Sequence, residues 1–460
     1  GDGPSYCLLH SEGYLVTIPL LDYQHTGAEF LAARERAGLF DEPGVGKTAQ
    51  AIAACDRIGA QRILVVCPAA VKQVWVGEFK KFSPVQRKVL KANGIHELNS
   101  WLRGKADVLI ASYEMASKWV KHINDLYDVL ILDEAHYVKT HNTQRTRAML
   151  GTQCDGAKGL GLYASHVWFL TGTPAANDPT DVWPFLRFVG GTTLTLPTFT
   201  NRYFKSWNGT FSARQEPRKE TVGELRALIE RHSLRRTKDQ AGLNLPPIWL
   251  TTQTVDGDTE EILSLLREHP GLEEAIVAAI EQGGLSFLDA QHISTLRRLV
   301  GEAKAPAYLA LLLEELRGGL EKVVVMGVHT RALMSLAEGL ERAGVRAVMI
   351  TGATSEPQRV AAVQEFQNDP ACKVFIGNVR AAGTGLTLTA AAEIVMFESS
   401  WTPAENAQAL MRVHRIGQTR TVRGRFISLA NSIDEVVVDT VARKTSSISQ
   451  IGVDYNAVPE

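Results

Sequence analysis

Short runs of β-branched and other apolar residues recur along the chain, and a helix-like pattern follows each run. The runs lie at 63–66, 108–110, 129–132 and 167–170, and again at 323–326, 347–350, 374–376 and 394–397. Uninterrupted apolar strands that alternate with helices are typical of a parallel sheet covered on both faces. The sequence therefore predicts an α/β fold, in which ligands bind at the carboxyl ends of the strands.

The strand runs fall into two groups, one ending near residue 175 and one starting near residue 322. The residues between them are predicted to be mostly helical. Pro246-Pro247, shortly after Gly242 and Asn244, is the best candidate for a hinge. We therefore expect a first domain at 1–245 with a helical insertion at about 179–240. The second domain is expected at 246–460, with a helical insertion at about 258–318.

Composition sets broad limits on the class of protein. The 460 residues are 45% apolar and 22% charged, which is ordinary for a soluble globular protein with a full core in each half. The sequence contains no run of about 18 uncharged apolar residues, so no membrane span is expected. The five cysteines form no CxxC pair, which favours a reducing compartment. We expect an intracellular protein, cytoplasmic or at the nucleoid if bacterial or viral, and nuclear if eukaryotic.

Residues 41–48 read DEPGVGKT and precede a helix-forming segment. Glycines at this spacing let backbone N–H groups turn toward an anion, and the helix N-terminus adds partial positive charge. Lys47 would reach the β- and γ-phosphates of ATP, and the Thr48 hydroxyl would bind Mg²⁺. Asp41 stands where a strict phosphate loop has its first glycine. The expected nucleotide-binding residues of the loop are Gly44, Val45, Gly46, Lys47 and Thr48.

The apolar run 129–132 leads directly into two acids, Asp133 and Glu134. A strand that ends in two acids places them at the sheet edge where the phosphate loop also opens. Asp133 would hold Mg²⁺, and Glu134 would orient and deprotonate the attacking water. The conjunction of this pair with the loop predicts an ATPase that uses ATP and Mg²⁺.

The strings DEPGVGKT and DEAH resemble those of helicase superfamily 2, and residues 20–435 resemble its SWI/SNF-type (sucrose-non-fermenting) branch. This resemblance implies two tandem RecA-like lobes with parallel sheets and helical insertions. The most specific string runs from Trp401 to Gln418. The Gly-Leu-Thr-Leu-Thr form at 385–389, with Val413 before His414, resembles the HARP-type annealing helicases.

The resemblance also implies roles for individual residues. Gln24 would bind the adenine edge, and Gly385 would contact the nucleotide. Residues that would couple hydrolysis to lobe movement are His136, Thr171, Thr173 and Gln408. Residues that would contact DNA are Lys72, Ser112, Thr384, Arg235, Arg236, Lys238 and Trp401.

Arg412 and Arg415 correspond to the arginine fingers of this branch. Three residues apart on a helix, they would share one face and reach the same phosphate from the second lobe. Hydrolysis would then depend on lobe closure, which would also be the power stroke.

We therefore expect a monomeric translocase on double-stranded DNA, without base specificity because it grips the backbone. The net charge of −1 does not oppose this, since a phosphate-binding cleft needs only local positive charge. A strand-separating DNA or RNA helicase stays open, and a short hairpin within 190–215 could supply its wedge. A nucleotide-gated clamp would need Lys47, Glu134 or Arg415 to be lost, and all three are present. A motor subunit of a larger DNA-processing or defence complex also stays open.

Overall fold

The structure is a computed structural model that describes residues 18–151, 158–172, 174, 179–208, 213–274, 276, 290–379 and 386–450. In chain order, the strands are β1 (Arg36–Leu39), β2 (Ile63–Cys67), β3 (Val89–Lys91), β4 (Val108–Ser112), β5 (Tyr127–Asp133), β6 (Ala164–Leu170), β7 (Phe204–Asn208), β8 (Ala213–Pro217), β9 (Ser233–Leu234), β10 (Ile248–Val255), β11 (Val323–Gly327), β12 (Arg346–Ile350), β13 (Cys372–Asn378), β14 (Glu393–Met396) and β15 (Val422–Leu429).

In chain order, the α-helices of the described residues are α1 (Asp22–Ala32), α2 (Lys47–Arg57), α3 (Lys72–Phe82), α4 (Ile95–Leu102), α5 (Tyr113–Trp119), α6 (Gln144–Leu150), α7 (Trp183–Phe188), α8 (Leu196–Tyr203), α9 (Val222–His232), α10 (Glu260–Glu268), α11 (Ala290–Arg317), α12 (Thr330–Arg342), α13 (Glu356–Asn368), α14 (Pro403–Leu410) and α15 (Asp434–Gln450). Among the described helices, none is both long and apolar enough to cross a membrane.

The first sheet has the strand order β3-β4-β2-β5-β6-β1-β9, and its strands pair in parallel. Strand β2 shows why the apolar runs form the centre of this sheet. Leu64 and Val66 pack on one face with Trp101 of α4, whereas Val65 packs on the other face with Trp75 of α3. Because successive side chains of a strand point to opposite faces, both faces of β2 must be apolar. We call this sheet and its helices lobe one.

The second sheet is also parallel, in the order β10-β15-β14-β11-β13-β12. Val324 and Met326 of β11 belong to the core on one face, and Val323 and Val325 to the core on the other. We call this unit lobe two. The predicted α/β fold with two parallel sheets is confirmed, and the chain passes between the sheets from Leu234 to Ile248.

The sequence prediction missed strands β9 and β10, and the short hairpin that it left open within 190–215 is present as the strands at 204–208 and 213–217. Lobe two begins its sheet at β10, not near residue 322; the sequence IWLTTQTV turns polar directly after Ile248-Trp249-Leu250. The stretch predicted as mostly helical between 179 and 236 also contains the antiparallel hairpin β7–β8. Within the same stretch, β9 adds a short parallel strand beside β1.

Candidate nucleotide site between the two lobes

The phosphate loop connects β1 to α2 and takes its shape from two glycines in left-handed backbone conformation, Gly44 with φ 89° and Gly46 with φ 82°. A Cβ on Gly46 would lie 2.4 Å from Nε2 of Gln24, so a larger residue would displace that side chain. The hydroxyl of Tyr23 donates to the carbonyl of Val45 at 2.9 Å. Helix α1 therefore packs its Tyr23-Gln24 pair directly on the loop.

Lys47, the first residue of α2, folds back over its own loop. Its Nζ donates to the carbonyl oxygens of Asp41 at 2.6 Å and Glu42 at 3.2 Å. Burial lowers the pKa of Lys47, against the charges of Glu134, Asp41 and Asp133. Because both acceptors are neutral carbonyls, an ionised phosphate would offer this ammonium group stronger, charge-assisted hydrogen bonds.

Asp41 is fully buried and bonded by a distant arginine. Arg236 donates from Nε to Oδ1 of Asp41 at 3.1 Å and from Nη2 to Oδ2 at 2.6 Å. Gln50 of α2 donates to the same Oδ2 at 3.1 Å and accepts from Arg236 Nη2 at 2.7 Å. The backbone N–H of Glu42 also donates to the carbonyl of Arg236 at 3.0 Å. The segment after β9 thus runs beside the phosphate loop and fixes its first residue.

This position does not support the predicted DNA contact of Arg236, whose side chain is 12% exposed and turned into lobe one. The family resemblance placed Arg236 among the DNA contacts. The carboxylate that binds Arg236 lies 195 residues earlier in the chain, so no local pattern could reveal it.

Asp133 ends β5 with both carboxylate oxygens engaged. Oδ2 accepts from Nε1 of Trp75 at 2.7 Å, and Oδ1 accepts from the backbone N–H of Glu134 at 3.0 Å. Burial, with the adjacent Glu134 charge, raises the pKa of Asp133 to about 6. The indole N–H of Trp75 is a contact at the site that no sequence pattern indicated.

Glu134 follows in the left-handed region with φ 51°, a conformation uncommon for non-glycine residues that is found at functional sites. Burial acts to raise the pKa of Glu134, but the hydrogen bond and charge of His136, with the charges of Lys47 and Arg412, lower it to about 2. Glu134 is therefore an ionised acceptor at physiological pH, suited to orienting a water molecule.

Two of the predicted coupling residues meet beside Glu134. His136 Nδ1 lies 3.3 Å from Glu134 Oε2 and 3.4 Å from the Thr171 hydroxyl. Thr171 follows β6, so the acid pair is connected to the next strand of lobe one. Thr173 lies outside the described residues, as do Thr384 and Gly385 of lobe two.

Thr48 and Asp133 supply the oxygen donors that Mg²⁺ prefers. Mg²⁺ is usually bound by one or two carboxylates together with water and substrate phosphates. The described residues contain no group of three or more His, Cys, Asp and Glu side chains that could hold a metal. One hydroxyl and one carboxylate therefore fit a Mg²⁺ ion that arrives with a nucleotide, and do not form a dedicated metal cage.

Lobe two contributes the segment after α14. Arg412 Nε donates to the carbonyl of Gln408 at 3.1 Å. Burial lowers the pKa of Arg412 to about 10, with Arg415 adding to the effect and Glu134 opposing it. Arg415 donates from Nη1 to the carbonyl of Leu386 at 2.9 Å. Its Cβ lies 3.6 Å from where a Cβ on Gly44 would be, so the arginine segment packs on the phosphate loop.

His414, between the two arginines, connects this segment to the chain between the lobes. Its Nε2 lies 2.7 Å from the carbonyl of Pro246. A carbonyl can only accept, so Nε2 carries the proton. Its Nδ1 then accepts from Lys238 Nζ at 3.2 Å. Burial and the charge of Lys238 lower the pKa of His414 to about 4. Burial also lowers the pKa of Lys238 to about 8.

The other predicted DNA contacts lie in different surroundings. Lys72 Nζ donates to the carbonyl of Ala92 at 2.7 Å, and the Ser112 hydroxyl caps α5 through the backbone N–H of Met115. Trp401 packs against the lobe-two core, with the guanidinium of Arg297 4.6 Å from its ring centre. Arg235 is half-buried beside Arg236. These DNA contacts remain predictions.

A phosphate loop and an acid pair in one lobe, with an arginine segment of the second lobe packed on that loop, are typical of a two-lobe ATPase. Residues 23–266 match the SNF2-related domain, and residues 307–417 match the helicase conserved C-terminal domain. The chain belongs to the SNF2-related family, and the resemblance to the SWI/SNF-type branch is confirmed. The two matched domains indicate an ATPase of the helicase-like superfamily.

Individual proteins similar to this chain include a SWI/SNF-related protein and a DNA annealing helicase. The chain is 29% identical over 446 residues to the SWI/SNF-related matrix-associated actin-dependent regulator of chromatin subfamily A-like protein 1 of Drosophila melanogaster, covering 94% of this chain and 56% of that protein. It is 26% identical over 442 residues to the DNA annealing helicase and endonuclease ZRANB3 of Homo sapiens, covering 92% and 40%. The chain thus spans about half the length of the curated relatives it matches.

A solved structure with a similar chain is the Sulfolobus solfataricus SWI2/SNF2 ATPase core in complex with dsDNA. The sequence identity is 21%, the coverage is 96% of this chain and 97% of that one, and the TM-score is 0.44.

Proposed function

We propose that the chain hydrolyses ATP with Mg²⁺ and uses closure of its two lobes to move along double-stranded DNA. The observation that carries this proposal is the packing of the arginine segment of lobe two on the phosphate loop of lobe one, where Cβ of Arg415 lies 3.6 Å from where a Cβ on Gly44 would be. The charge of Arg412 acts on both Lys47 and Glu134 across the cleft. A nucleotide bound there would be touched from both lobes, so its hydrolysis would change the contact between them.

Each group has a role in the proposed reaction. Lys47 binds the β- and γ-phosphates, and Glu134 accepts a hydrogen bond from the attacking water and so orients it. Arg412 and Arg415 stabilise the negative charge that builds up on the terminal phosphoryl group. Bound Mg²⁺, held by Thr48 and Asp133, would neutralise part of the phosphate charge.

The proposed track is duplex DNA. Among the relatives, one is described by its name as a DNA annealing helicase. A monomer that grips phosphates should show little base preference, and its affinity should fall as salt rises, with a slope of about −0.9 per phosphate contacted.

The deciding experiment measures ATP turnover with double-stranded, single-stranded and forked DNA and with RNA, together with displacement of a triplex-forming strand. Duplex stimulation with triplex displacement is the expected result. Stimulation by RNA alone would contradict the proposal. A Glu134→Gln protein should bind ATP and DNA but hydrolyse ATP far more slowly, and wild-type turnover in that variant would remove Glu134 from its assigned role.

A second candidate, strand separation, is favoured by the β7–β8 hairpin, since a helicase of this kind needs a wedge. Its strands pair from Phe204–Pro217 to Asn208–Ala213. Replacing residues 206–215 with a Gly-Ser linker should abolish forked-duplex unwinding if the hairpin is a wedge, and leave duplex-stimulated ATP turnover intact. Triplex displacement by a protein that does not unwind forks would exclude this second function.

A further inference from the structure

Lys238 lies at the boundary of the two lobes, beside the phosphate loop. Its Cε is 3.8 Å from where a Cβ on Gly44 would lie, and Arg415 flanks the same glycine. The backbone N–H of Lys238 donates to Oε2 of Glu42 at 3.0 Å, which fixes the main chain against the loop. The family resemblance implies a DNA contact for Lys238, whereas its side chain lies beside the phosphate loop.

The acceptors around the Lys238 ammonium are uncharged. Nζ lies 2.7 Å from the thioether sulfur of Met411, and 3.2 Å from Nδ1 and 3.4 Å from the carbonyl oxygen of His414. The thioether is a weak acceptor, and His414 is neutral because its pKa is low. A largely buried ammonium among neutral acceptors keeps a strong preference for an anionic partner.

The neighbouring cations indicate which anion fits. Burial lowers the pKa of Lys238, the charges of Glu42 and Asp239 raise it, and the positive charges of Arg415 and Lys47 lower it. Like charges brought together in one cleft repel unless an anion of high charge lies between them. The phosphates of a nucleotide are such an anion, and the terminal one is the end that the arginine segment of lobe two would approach.

We propose that Lys238 is a nucleotide-binding residue that donates to the terminal phosphate of ATP. This inference rests on the proposed ATPase function and adds a second lysine, from the segment after β9, to the phosphate site. Before ATP binds, the imidazole of His414 accepts from the ammonium group, so nucleotide and imidazole compete for it. ATP binding would release Lys238 from His414, while Nε2 of His414 keeps its bond to Pro246.

The test uses Lys238→Met, which keeps the apolar stem, and Lys238→Arg, which keeps the charge. Equilibrium binding of fluorescent ATP and ADP analogues is measured with and without duplex DNA. Loss of one charge-assisted hydrogen bond should weaken ATP binding about 10- to 100-fold in Lys238→Met. ADP binding and the salt slope of DNA binding should stay unchanged, and Lys238→Arg should recover part of the ATP affinity. Exposed Lys219 provides the matched control, Lys219→Met.

Four results would overturn the inference. Weaker DNA binding with a smaller salt slope and normal ATP affinity would make Lys238 a DNA contact. Normal ATP and DNA binding with a changed melting temperature would make it a structural tether to His414. If wild-type protein neither binds nor hydrolyses ATP, the proposed function fails and this inference fails with it. If the wild type binds ATP and Lys238→Met binds it equally well, only this inference fails.

Discussion

Arg236 and Asp41 form a two-point ion pair across 195 residues of chain, with the carboxylate fully buried and the guanidinium 12% exposed. Asp41 stands where a strict phosphate loop has a glycine, so the loop carries a negative charge close to where phosphates would bind. Arg236 neutralises that charge and, through Gln50, also fixes helix α2. The pair therefore makes an acidic residue compatible with an anion site.

Removing the side chain of Arg236 should lower both the stability of the protein and its affinity for ATP. In Arg236→Ala, Asp41 would be a buried carboxylate without its cation, and the free energy of unfolding should fall by about 3–5 kcal/mol. ATP affinity should fall as well, because the loop loses its anchor. Urea unfolding followed by tryptophan fluorescence measures the first effect. Arg231, which is exposed, gives the control. Arg231→Ala should change stability by less than about 0.5 kcal/mol.

The double variant Asp41→Asn with Arg236→Gln separates pairing from charge burial. It should be more stable than Arg236→Ala, because no ionised group is then buried alone. A double variant less stable than Arg236→Ala would contradict the account of Arg236 as the neutralising partner.

Arg412 and Arg415 should act on the rate of hydrolysis more than on ATP affinity. Arginine fingers in phosphoryl transfer contribute about 10³–10⁵ in rate, so Arg412→Ala and Arg415→Ala should each lower kcat by about 10³-fold or more. Single-turnover hydrolysis with saturating ATP measures this. Arg342→Ala, on the exposed side of α12, is the control. A loss confined to ATP binding, with unchanged kcat, would argue against both assignments.

His414 should make folding sensitive to acid. Its pKa falls from 6.5 in the unfolded chain to about 4 in the folded protein, where it faces Lys238 and Pro246. Between these pH values the unfolded chain binds more protons, so stability falls as pH falls from 6.5 to 4. Thermal melting at a series of pH values should show a shallower decline in His414→Asn than in the wild type. Equal slopes in that window would mean that His414 is not held neutral.

Lys91 of lobe one and Glu356 of lobe two form an ion pair of 2.6 Å between the lobes, with 26% and 32% of the side chains exposed. A half-exposed pair contributes about 1 kcal/mol or less, so Lys91→Ala should hardly change the melting temperature. It should instead widen the distribution of lobe separations, seen as a larger radius of gyration in solution scattering.

High salt should produce the same widening in the wild type. The charge-reversed pair Lys91→Glu with Glu356→Lys should restore the wild-type value. Recovery would fail if Lys91 acted only through neighbours in lobe one.

Apart from the edge strand β12, the strands that the apolar runs identified are buried on both faces. Strand β1 (sequence RAGL) lies inside the sheet but carries small residues, since a Cβ on Gly38 would lie 2.5 Å from the ring of Phe40. Strand β10 lies at an edge, and Trp249 there is 63% exposed. Neither strand was predicted, because β1 is short and β10 turns polar after Ile248-Trp249-Leu250.

The residues of the site also fall into a group that the sequence predicted and a group that it did not. The phosphate loop and the acid pair were predicted because their chemistry depends on neighbours in sequence. The contacts of Trp75 with Asp133 and of Lys238 with His414 join segments 58 and 176 residues apart. Such contacts depend on how the sheets are layered and how the lobes meet, and these are tertiary properties.

Strand β10 pairs with β15 along eight residues, from Ile248 beside Val422 to Val255 beside Leu429. The SNF2-related match extends to residue 266, so the sequence unit that defines the family ends inside lobe two. A truncated lobe two that starts at that border would lack its outermost strand and present the bare backbone of β15, an edge open to pairing between molecules. The SNF2-related match and lobe two therefore share residues 248–266, and a lobe two that is to fold by itself has to begin before Ile248.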